Sequence, residues 1–143
     1  MAVIISSSQS TNMTRLIPFW VTIVASLMAL SILAFSINLA VYPKTFFPDT
    51  DFLAKNVRHF TTMWAMRQFS IGALIAYSLI RQSAQTLKIA LALLFLINLF
   101  TIFEGAFINN IFLIVESIIY CCISATIIFA INKKERVLKL QLG

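Results

Sequence analysis

Glycine and proline are scarce, three of each in 143 residues, so long irregular regions are not expected. Charge is scarce as well: 11% of residues are Asp, Glu, Lys or Arg, against about a quarter in an ordinary soluble domain. There are two cysteines, Cys121 and Cys122, and they are adjacent. Neighbouring helical residues point about 100° apart, which disfavours a disulfide between them. No Cys-x-x-Cys pair and no zinc spacing is present, so the thiols read as buried and inert. With one histidine, His59, and two separated glutamates in the apolar segments, no metal motif can be drawn, and no cofactor is implied.

What is abundant is hydrocarbon. Sixty per cent of the residues are apolar, thirteen are Phe, and the mean hydropathy is +0.93. These values point to a membrane. The formal net charge is +6, but the basic residues stand mostly beside apolar runs. Membrane topology therefore explains them better than nucleic-acid binding does, and the basic stretch Lys133–Lys139 reads as a contact with anionic lipid.

Four segments have the roughly 20 apolar residues needed to cross about 30 Å of hydrocarbon: about 16–41, 61–80, 87–107 and 111–131. None alternates apolar and polar residues, which argues against a transmembrane barrel. The first follows Arg15 but is longer than a signal-peptide core and lacks a clear small-x-small cleavage site. Residues 1–14 read as a flexible tail and 132–143 as a basic cytoplasmic tail. Asp49-Thr50-Asp51 after Pro48 looks like a helix start. The second helix then either begins above the bilayer or is preceded by a short surface helix and a kink.

Arg15, Arg81, Lys88, Lys133, Lys134, Arg136 and Lys139 fall on one side, and Lys44, Lys55 and Arg58 on the other, beside Asp49 and Asp51. The excess places both termini in the cytoplasm, in the cell (inner) membrane. Ala25-x-x-x-Ala29 and Gly72-x-x-x-Ala76 permit close helix approach. The expected fold is all-α: a single transmembrane domain built as an up-down-up-down four-helix bundle.

Arg67, Glu104 and Glu116 are ionisable residues inside apolar segments, where charge is costly and is usually paired, turned inward or functional. Under this topology all three lie at a similar depth, in the outer half of the membrane. Helical spacing adds neighbours: Asn38 on the first span, Gln68 on the second, Asn98 and Thr101 on the third, and Tyr120 four residues after Glu116 on the fourth. His59 lies about two turns above Arg67. Arg67, Gln68, Glu104, Glu116, Asn98, Asn38, Tyr120 and His59 form the candidate polar pocket. The competing readings are an ion pair of Arg67 with one glutamate that fixes helix register, or snorkelling of Arg67 and Glu104 to the headgroups. Trp64 and Tyr42 read most simply as interface anchors.

The stretch from Trp64 to Gly72 (WAMRQFSIG), with Arg near the start of a span and Gly within two turns, resembles the DoxX-like group and related small bacterial four-span families of unknown function. The first span departs from that pattern in having no glycine. The resemblance implies a four-helix membrane fold and no activity.

Three functions follow as expectations. The first is a non-enzymatic membrane protein whose outer-leaflet pocket takes a small molecule, a lipid or a partner helix. The second is a proton-linked transporter acting as a homo-oligomer, using the carboxylate left over when one Arg faces two Glu. The third is a membrane enzyme with a buried carboxylate as acid or base. No nucleophile–base pair or phosphate loop favours the last. The expected partners are the lipid bilayer and either a membrane protein or further copies of the chain.

Overall fold

The computed structural model describes residues 17–45, 51, 55–107 and 109–142. The expected tail at 1–14, the helix-start signal at 49–50 and most of the connection into the second helix lie outside the described residues. The chain forms α1 (Phe19–Val41), a short 3-10 turn (Pro43–Thr45), α2 (Lys55–Ile80), α3 (Ala84–Phe107) and α4 (Ile111–Leu142), with no strand among the described residues. Three of these helices, α1, α3 and α4, are long and apolar enough to cross a membrane. α2 is not among them; Arg58, His59, Arg67 and Gln68 lower its apolar character.

Local chemistry sets the helix ends. Pro18 precedes α1 with ψ 146, and its carbonyl accepts the first bond, from Thr22 N at 3.1 Å. α1 stops at Val41, ahead of Pro43, because the residue before a proline is disfavoured in the helical region. α2 runs without a break from Lys55 to Ile80, so its charged start and its apolar end belong to one helix. α4 does not end at Ile131. It continues to Leu142, because the basic stretch has no Gly or Pro and is rich in strong helix formers.

The two short connections use one device. At the end of α2, Gln82 N bonds Leu79 O at 3.1 Å and Ser83 N bonds Ser78 O at 3.0 Å, with Gln82 at φ 51. At the end of α3, Asn109 N bonds Ala106 O at 3.4 Å and Asn110 N bonds Gly105 O at 2.9 Å, with Asn109 at φ 53. Both are Schellman closures with a left-handed residue. The next residue then caps the following helix: Ser83 Oγ accepts Thr86 N at 3.3 Å, and Asn110 Oδ1 accepts Leu113 N at 3.2 Å. Each chain reversal thus satisfies carbonyls behind it and amides ahead of it.

The contacts make two antiparallel pairs. In the first, Gly72 of α2 lies against Ile32 and Leu33 of α1, and Trp64 sets its ring edge-on to Phe35 at 6.1 Å. In the second, Gly105 of α3 lies against Asn110 and Ile114 at the start of α4. Farther along, Cys121 Sγ donates to Phe95 O at 3.6 Å, and Lys88 Nζ donates to both Glu135 oxygens at 2.9 Å and to Asn132 Oδ1 at 3.2 Å. α2 packs on α3 to join the pairs. α1 and α4 meet through Ser31 Oγ and Tyr120 OH, 3.0 Å apart.

On α3 the buried positions Ala84, Leu87, Leu91, Leu94, Asn98, Thr101 and Gly105 alternate steps of three and four, the seam of a coiled-coil-like contact. Bulky apolar residues point the other way: Phe100 is 72% exposed and Phe129 on α4 is 70% exposed. Meanwhile Ser36, Ser78, Asn98, Thr101, Ser117 and Ser124 are buried. A soluble protein rarely shows so large an apolar surface around an interior rich in small polar residues. In a bilayer the arrangement is expected, because lipid solvates the Phe side chains and small residues let backbones approach. The buried hydroxyls of Ser36 and Ser78 donate back to Ile32 O and Leu74 O, each at 2.6 Å, so they cost little. The chain is a small helical membrane protein.

Candidate functional site

All four helices enclose a small cavity of about 30 Å³, room for about two waters. Its polar lining comes from Gln68 on α2, Asn98 and Thr101 on α3, and Glu116, Ser117 and Tyr120 on α4; α1 contributes Ile32 and Phe35. The spacings explain the convergence. Asn98 and Thr101 continue the buried seam of α3, and Gln68 lies four residues before the close-packed Gly72. Asn98 Nδ2 and Thr101 Oγ1 donate to their own helix, to Leu94 O at 2.8 Å and Ile97 O at 3.0 Å.

A second space opens sideways between α1 and α4. It is a groove of about 610 Å³, walled mainly by Leu27 and Met28 on one side and Phe112, Val115, Ile119 and Ile123 on the other. Its polar groups are Ser31, Glu116 and Tyr120. Glu116 and Tyr120, one turn apart, line both spaces. They stand on the strip of α4 between the side that meets α3 and the side that faces α1. Glu116 is half-buried. Among the described residues its carboxylate takes no hydrogen bond and no ion pair, and no Lys or Arg lines either space.

The other expected pocket residues do not reach the cavity. Arg67 and Glu104 are exposed, and Arg67 forms an ion pair with neither glutamate. The three charges therefore do not share one interior layer. Arg67 precedes Gln68 and Glu104 precedes the buried Gly105, and one residue is about 100° of rotation on a helix, enough to carry each side chain off the packed face. Asn38 is exposed and donates to Ala34 O at 3.0 Å. His59 is exposed, its ring 6.3 Å from that of Phe60. Trp64, read as an interface anchor, instead lines the cavity.

Sequence reasoning missed Ser117 in the cavity lining and the Lys88–Glu135–Asn132 clamp at the opposite end of the α3–α4 pair. The signal for the clamp was present. With the reversal at Asn109, an antiparallel register places Lys88 opposite the 132–135 stretch. Among the described residues no group of three potential metal ligands occurs.

The chain matches no protein-family model, no curated protein and no solved structure. The geometry alone carries the functional reading.

Proposed function

We propose that the chain is a four-span, non-enzymatic protein of the cell (inner) membrane, with both termini in the cytoplasm, that binds an amphiphilic small molecule or lipid entering sideways from the bilayer. On this reading α2 is the fourth span. Its 26 residues extend about 39 Å, more than the hydrocarbon thickness. The exposed Arg67 then reaches the headgroups by snorkelling.

The observation that carries the binding proposal is the placement of Glu116 and Tyr120 on the boundary of two unlike spaces. A ligand with an apolar body and a polar head matches that division: the body lies between α1 and α4, and the head reaches the polar strip. The groove volume is in the range of small-molecule sites. An alkyl diazirine probe in proteoliposomes tests it. Photolabel is expected to concentrate on the α1 segment 24–31 and the α4 segment 112–123, and Leu27→Trp, which fills the groove, is expected to reduce that label severalfold. Label spread evenly over all exposed helix faces, unchanged by Leu27→Trp, would refute the site.

A further inference from the structure

We infer that the head this groove selects is a cation: an amine or quaternary ammonium on an apolar body, with no anion attached. The inference rests on the binding site proposed above and adds the chemistry of its ligand.

Three observations support it. The Glu116 carboxylate has no partner among the described residues although it borders the groove. An unpaired carboxyl in a low-dielectric setting is costly, and the cost is relieved by a counter-charge. Among the described residues none is brought, since no Lys or Arg lines either space: Arg67 is on an exposed face, and Lys88 is held by Glu135 and Asn132 at the far end of the α3–α4 pair. The nearby hydroxyls do not substitute for a cation, because Ser31 and Tyr120 face one another at 3.0 Å.

The walls also suit a cation. Tyr120 and Phe112 flank Glu116 along the groove, and aromatic faces attract ammonium groups, more strongly where water is excluded. An anionic head would meet the carboxylate directly. A zwitterionic phospholipid would bring a phosphate against it. A neutral alcohol satisfies one lone pair and leaves the charge uncompensated.

The test uses the full chain in phosphatidylcholine nanodiscs, with empty discs as the correction for partitioning. The probes share one chain: dodecyltrimethylammonium, dodecanol and dodecylphosphocholine. Binding of the ammonium probe is expected to exceed that of both others by at least about tenfold, the scale of one charge-assisted contact. Glu116→Gln is expected to remove that preference, bringing binding of the ammonium probe down to that of dodecanol; Glu116→Asp is expected to keep it. If Glu116→Gln does not fold, the preference in the wild-type protein decides by itself. Equal binding of all three probes would overturn the cationic head and leave the amphiphile site standing. Binding of none above empty discs would overturn both.

Discussion

Glu104 and Glu116 carry the same group, twelve positions apart, yet only the second faces a cavity. The difference is angular. Glu104 stands three residues after buried Thr101 and one before buried Gly105, so it lies at the edge of the packed face and turns outward. Composition and spacing marked both as unusual, and neither reveals which way a helix is rotated about its own axis. Gln82 is a second residue whose role was hidden. It holds φ 51 at the end of α2, a region in which a side chain costs about 1–2 kcal/mol, whereas Asn109 at φ 53 is a type that tolerates it. Gln82→Gly is therefore expected to stabilise the protein by about 0.5 kcal/mol, the relief of strain less the added backbone entropy and the loss of the bond from Gln82 Nε2 to Leu79 O at 2.8 Å. Asn109→Gly is expected to change stability much less. Thermal melting in detergent measures both, and equal shifts would contradict the assignment.

At the scale of elements, the α3–α4 hairpin has a close contact at the turn and a polar clamp toward the far end. Near the turn, a side chain on Gly105 would place its Cβ 2.9 Å from Ile114 Cγ1 and 3.4 Å from Asn110 O. Ile114 and Asn110 belong to the capped start of α4, which has little room to move. Gly105→Val is expected to lower stability by about 1–3 kcal/mol, the usual cost of overpacking, seen as a reduced melting temperature in detergent; an unchanged melt would show the turn to be loosely packed. At the other end, the Lys88 and Glu135 side chains are 25% and 28% exposed and 2.9 Å apart. The sequence places Lys88 at the start of the third span, where it counts toward topology, and reads 132–143 as a tail. The structure carries that tail on as helix, because nothing in its composition breaks a helix, and sets Glu135 and Asn132 on it against Lys88.

For the whole molecule, the path of α2, the least apolar of the four helices, sets the side of the membrane on which α4 ends. With Cys121 and Cys122 replaced by Ser, a single cysteine at Thr45 or at Gln141 distinguishes a spanning α2 from one that stays outside. If α2 spans, an impermeant maleimide on intact cells labels Thr45→Cys and spares Gln141→Cys until the cells are opened. If α2 stays outside, both label without opening. The helical, membrane-embedded character of the chain, and the end of α1 before Pro43, were determined by the sequence alone, because hydropathy and helix breaking are local properties carried by runs of residues and single prolines. Only the tertiary structure decided that Gln68, Asn98, Glu116 and Tyr120 meet at a cavity while Arg67, Glu104, Asn38 and His59 do not. That outcome depends on how four helices are rotated against one another, and one residue, about 100° of helix, separates the inside of this bundle from its surface.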